Sequence, residues 1–161
     1  MGWKSGIAVA LTVGALSVAP LGPAKAALCH TPQEEAALST RMLQTEFMIA
    51  ALSCDQRVNY NAFVTKFESE LVPLGQALRQ MFKRAYGGVA KRELNGFITS
   101  LANQASQRSI TGWSGYCDNA SNLFLEALAL EPGALKTFAA AQLFTRWHGV
   151  EPCSLQASTT E

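Results

Sequence analysis

Apolar residues recur at helical spacing along most of this chain. The first such stretch carries its own start signal. Thr31 can cap a helix, Pro32 suits the first helical position, and Glu34, three residues after Thr31, completes a capping box. Glu35 adds negative charge where the helix dipole favours it. Leu38, Met42, Ile49 and Leu52 fall on one face, and Leu43, Phe47 and Ala50 on the opposite one. From Phe47 to Leu52 the helix is apolar all round, the mark of a helix at the centre of a bundle. Arg41, Gln44 and Glu46 would then face a polar pocket from that central position.

The second stretch starts near Asn59. Val64, Phe67, Leu71, Leu74, Leu78, Met81 and Ala85 keep a 3-4 spacing, which predicts one long helix with a packing seam. Pro73 removes a backbone hydrogen bond and predicts a kink near Ser69. Gly87-Gly88 stops the helix, with Lys83 and Arg84 in its last turn. A third helix is expected over 89–107, with Leu94, Phe97, Ile98, Leu101 and Ala105 on one face, followed by a loop from Ser109 to Ser114. A fourth runs over about 115–130 and is anchored by Leu123, Phe124 and Leu128. Glu131-Pro132-Gly133 breaks the chain, and a fifth helix runs from Pro132 to about Trp147. No segment alternates apolar and polar residues in the manner of a strand. The expected fold is all-α: a five-helix antiparallel bundle with short connections and no sheet.

The N-terminal 26 residues read as a cleaved signal peptide. Lys4 supplies positive charge, Ile7 to Val18 an apolar core, and Ala24-Lys25-Ala26 the small residues of a cleavage site. The apolar run is about 12 residues, against the ~20 needed to span a bilayer, so a retained anchor is the lesser alternative. Leu28 stands before Cys29 where a lipoprotein signal needs a small residue. The expected organisation is therefore a leader over 1–26, a single helical domain over 27–153 and a flexible tail over 154–161. The Ala-rich leader looks bacterial, which places the mature chain in the periplasm or the medium, with no transmembrane segment. Loss of Lys4 and Lys25 leaves 11 basic against 12 acidic residues and turns the net charge from +1 to −1. A charge so close to zero argues against nucleic acid as a partner.

All four cysteines lie beyond the leader, and an even count in an oxidising space predicts two disulfides. Cys29 and Cys54 flank the first helix, whose length of roughly 33 Å forbids their pairing. With helices alternating in direction, Cys54 and Cys117 lie at one end of the bundle. The expected bridges are Cys54–Cys117 and Cys29–Cys153, acting as staples; a redox-active pair is disfavoured without a C-x-x-C motif.

Candidate chemistry is sparse. His30 and His148 have no ligand-type neighbours at helical spacing, so no metal site is expected, and His148 reads as a residue compensating a helix C-terminus or lying on the surface. No haem-attachment motif, nucleophile motif or phosphate loop is present, and no cofactor is expected. Two candidate surfaces stand out. Arg79, Lys83, Arg84, Lys91 and Arg92 surround the turn after the second helix and form a candidate anion-docking patch, unless they only satisfy a helix end and a solvated face. Tyr60, Asn61, Trp113 and Tyr116 gather near the Cys54–Cys117 end as a candidate recognition surface, unless they only cover the bridge. The expected function is that of an exported, non-enzymatic helical module that binds a protein or an anionic envelope component. The alternative is a periplasmic enzyme with a pocket at one end of the bundle.

Overall fold

The computed structural model describes residue 1 and residues 28–153; the rest of the expected leader and the 154–161 tail lie outside the described residues. The chain is mostly helical. In order, it forms β1 (Cys29–His30), α1 (Pro32–Ser53), α2 (Arg57–Lys66), α3 (Glu68–Tyr86), a 3-10 turn (Gly87–Val89), α4 (Ala90–Thr111) and α5 (Trp113–Ala129). A short α6 (Leu135–Ala141), a second 3-10 turn (Leu143–Arg146) and β2 (Glu151–Pro152) complete it.

α1 begins as its sequence dictates. The Glu34 N–H donates to Thr31 Oγ1, and the Glu34 carboxylate accepts from the Thr31 N–H, so the capping box is closed in both directions. The helix then runs through the middle of the molecule and packs against α2, α3, α4, α5 and α6. Leu38, Leu43 and Phe47 are fully buried. Two apolar clusters share this helix. One joins Phe47 to Phe63, Phe67, Phe124 and Leu135, with Phe47 stacked on Phe124 at 4.1 Å between ring centroids. The other joins Leu38 to Leu78, Met81, Phe82 and Val150. Leu52, the last residue of the stretch that is apolar all round, is exposed at the end of the helix.

Four expectations need correction. The long second helix is two helices, α2 and α3, joined at Phe67. The break precedes the expected kink at Ser69, and Pro73 sits inside α3. Phe67 leaves helical geometry (φ −105°, ψ 15°) while remaining buried, so the chain bends to keep this ring in the Phe47 cluster. The expected loop over Ser109–Ser114 is helical on both sides of Gly112. Ser109 and Thr111 return their hydroxyls to carbonyls of the preceding turn (2.8 and 2.9 Å), so a polar run that reads as a loop continues the helix. The fifth helix is cut to α6 because buried Thr145 donates to the Ala139 and Gln142 carbonyls (2.8 and 2.7 Å), taking up groups at the helix end. Finally, a sheet does exist. β1 and β2 pair in parallel, Cys29 with Glu151 and His30 with Pro152, over two residues each. Strands this short leave no alternating pattern in a sequence.

The disulfides join Cys29 to Cys153 and Cys54 to Cys117, with Cα atoms 4.8 and 5.5 Å apart. They close long loops, separated by 124 and 63 residues, for which chain entropy allows roughly 4–5 kcal/mol each. Asp55 adopts a left-handed conformation (φ 56°) immediately after Cys54 and turns the chain from α1 into α2.

If the Phe47 cluster is the main core, Phe47→Ala should cost about 3–5 kcal/mol in chemical denaturation, and Leu52→Ala about 0.5 kcal/mol or less. Equal losses at the two positions would contradict this placement of α1.

Candidate functional site

A helix buried on several sides must bring its polar residues inside with it. On α1, Ala37, Thr40, Arg41 and Gln44 follow one another at i, i+3, i+4 and i+7, so they form one stripe. That stripe faces α3, where Leu71, Leu74 and Leu78 supply an apolar wall and Arg79 a second guanidinium. Between them lies an open groove of about 380 Å³. Arg41 Nη1 donates to Gln44 Oε1 at 3.1 Å, within its own helix. Among the described residues, neither Arg41 nor Arg79 has a carboxylate partner, although Glu68 also lines the groove. Thr40 is 2% exposed, and its hydroxyl has no hydrogen-bond partner in the protein. Burial pushes the Arg41 guanidinium below its ordinary pKa; nearby Tyr60 works the other way, and the positive charge of Arg79 adds to the lowering. A desolvated cation facing a second cation is a site that an anion would relieve.

The basic patch expected from the sequence is divided by the fold. Arg79 goes to the groove. Arg84 makes a two-pronged ion pair with Glu34, one contact of which is 2.9 Å, and also donates to the Cys29 carbonyl at 2.8 Å. Arg92 pairs with its neighbour Glu93 at 2.8 Å. Lys83 and Lys91 are exposed. The aromatic candidates are also distributed. Tyr60 and Tyr116 are half-buried against the Phe47 cluster, Asn61 is exposed on α2, and Trp113 opens α5, its side chain lying outside what is described. Tyr116 lines a second groove of about 500 Å³ together with Glu46, Arg108 and Glu126. There Arg108 holds the Glu46 carboxylate at 2.5 Å. Burial, followed by the Glu46 charge and a hydrogen bond to Glu46, pushes the Tyr116 phenol far above its ordinary value, with Arg108 opposing.

A third cluster escaped the sequence altogether. His30, Glu35 and His148 meet beside the Cys29–Cys153 bridge, with one ligand-type atom of each within 4.8 Å of the others. Local spacing could not reveal it, because the residues come from β1, the first turn of α1 and the segment before β2. The available signal was the cysteine pairing: His30 adjoins Cys29, and His148 lies five residues before Cys153.

The hydrogen bonds from Arg84 hold the Glu34 carboxyl below its ordinary pKa, against the opposing effect of partial burial and with help from the Thr31 N–H. A carboxyl held low in the folded chain contributes stability above its unfolded pKa, and this contribution is lost as pH falls through the folded value. The stability difference between wild type and Arg84→Met should therefore be largest near neutral pH and shrink toward pH 3. Because the arginine is half exposed, the difference should be about 1 kcal/mol or less. A difference independent of pH would contradict the pairing. Comparisons with protein-family models, with curated proteins and with solved structures find no match to this chain, so its function is argued from these sites alone.

Proposed function

We propose that this chain is an exported, disulfide-stabilised helical binding module, and that its ligand is an anionic envelope component carrying an apolar chain. The carrying observation is the pair of guanidiniums, Arg41 and Arg79, without a carboxylate partner beside an apolar wall. The groove is within the size range of small-molecule sites. Its chemistry is divided as an amphiphilic anion requires. Arg41, Arg79 and the Thr40 hydroxyl offer donors to a head group, while Leu71, Leu74 and Leu78 offer contact to a tail.

Export rests on the leader read from residues 1–26, cleaved near Ala26, and it agrees with two closed disulfides and no free cysteine among the described residues. No helix among the described residues is long and apolar enough to cross a membrane. The periplasm of a bacterium, or its medium, suits all of these. In this reading the span 27–153 folds as one unit, and its helices alternate in direction around α1. The two arginine–carboxylate pairs to Glu34 and Glu93 leave less positive charge for a docking patch, so Arg79 acts with Arg41 rather than with Lys83 and Lys91. The enzymatic alternative would use the second groove. Of the two carboxylates that line it, Glu46 is already committed to Arg108, and this favours binding over catalysis.

Dodecyl phosphate serves as a probe of head group and tail together. Calorimetric titration should show one site per chain, with inorganic phosphate and a neutral dodecyl maltoside each binding more weakly. Arg41→Gln and Arg79→Gln should each weaken the alkyl phosphate about tenfold or more, whereas Lys91→Gln should leave it unchanged. Equal binding by wild type and both arginine variants would overturn the assignment of the groove.

A further inference from the structure

The His30–Glu35–His148 cluster is built more tightly than a surface ion pair. The side chains of His30 and His148 are 11% and 5% exposed, and Glu35 opens to solvent at 33%. His30 Nε2 stands 3.1 Å from Glu35 Oε2. His148 Nε2 stands 3.2 Å from the same oxygen and 3.3 Å from Oε1. Charge-assisted N–H···O bonds are typically about 2.7–2.9 Å, so these contacts are long for that role. In a tetrahedral site with ligand bonds of about 2.0 Å, neighbouring ligand atoms are about 3.3 Å apart. The contacts of His30 and His148 to Glu35 Oε2 match that edge, and all three ligand atoms lie within 4.8 Å of one another.

The hydrogen bonds behind the cluster point the same way at two of its members. His30 Nδ1 lies 3.2 Å from the Thr31 carbonyl oxygen, which can only accept, so this nitrogen carries the ring proton. In the neutral ring, Nε2 then presents a lone pair to a carboxylate, an arrangement that either a proton or a metal ion between them relieves. Ser39 Oγ donates to Glu35 Oε1 at 3.1 Å and fixes that carboxylate. At His148 a metal ion would have to displace something. The Val150 N–H donates to His148 Nδ1 at 3.1 Å, so ligation through Nε2 moves the ring proton to Nδ1 and ends that bond.

We propose that His30 Nε2, the Glu35 carboxylate and His148 Nε2 form a site for a divalent first-row transition ion, for which zinc is the best fit. Two imidazoles and one carboxylate are zinc ligands in a tetrahedral arrangement, and the exposed edge of Glu35 leaves the fourth position to water. Magnesium and calcium prefer all-oxygen sets. Such an ion would tie β1, α1 and the segment before β2 together beside the Cys29–Cys153 bridge. No thiolate competes for it, since every cysteine is in a disulfide. The chain has 2 histidines, and both are here.

The test uses tag-free, disulfide-intact protein, because a histidine tag would add sites. Calorimetry should give one zinc ion per chain, and cobalt(II) should develop the visible absorption of a four-coordinate ion. Glu35→Gln and His30→Gln should each weaken zinc at least tenfold, with circular dichroism confirming that the variants are folded. Should either variant unfold, wild-type protein with ¹⁵N-labelled histidine supplies a second measurement. Zinc should shift the ring nitrogens of His148 from the Nε2–H to the Nδ1–H tautomer. Absence of stoichiometric binding, unweakened binding in folded variants, or histidine ring shifts unchanged at saturating zinc would each overturn the proposal.

Discussion

The burial of α1 is the constraint from which the rest of the structure follows. A helix surrounded by five others can satisfy its apolar residues easily, and Leu38, Leu43 and Phe47 are fully enclosed. Its polar residues have no such freedom. An unpaired polar group inside a protein carries a desolvation penalty, and a charge a larger one. α1 carries Glu34, Glu35, Ser39, Thr40, Arg41, Gln44 and Glu46, several of them buried or nearly so. Ser39 and Gln44 find partners within α1 itself, but the carboxylates dictate something about the element that packs beside them.

The demands of the three carboxylates are met by partners brought from far along the chain. Glu34 draws in Arg84 at the end of α3, and Glu46 draws in Arg108 on α4. Glu35 draws His148 and its segment back onto the start of α1, where the Cys29–Cys153 bridge and the two-residue sheet close over it. On α1, the Thr40–Arg41 stretch lacks a full set of partners among the described residues. Gln44 satisfies one nitrogen of Arg41, Thr40 keeps an unused hydroxyl, and Arg79 adds charge of the same sign. The same rule thus produces the paired residues that hold the fold and the unpaired ones that make a groove available to a ligand.

Much of this was legible in the sequence, because the signals were local. The Thr31–Glu34 box, the Gly87 stop and the apolar circumference of α1 depend on residues within one or two turns of each other. The length of α1 excluded one disulfide pairing, and the expected alternation of helix direction chose between the other two. What escaped depended on tertiary partners. Phe67 breaks a continuous 3-4 seam because a ring must reach the Phe47 cluster, and the seam itself holds no trace of that demand. Ser109 and Thr145 reverse the expected loop and helix through hydroxyl bonds to carbonyls, which composition cannot foretell. The basic patch read as one surface because its charges are neighbours in sequence, yet Glu34 and Glu93 each claim one arginine. The histidines looked isolated for the converse reason: their proximity exists only in three dimensions.

The measurement that bears most directly on the burial of α1 is native-state amide hydrogen exchange across a range of denaturant. Residues 38–50 should exchange only through global unfolding, with the same free energy and denaturant dependence as the equilibrium transition, while α6 and the segment after it open at lower cost. Exchange of the 38–50 amides at lower free energy than those of α3 or α4 would contradict the account, because a helix that opens before its neighbours cannot be the one they are built around.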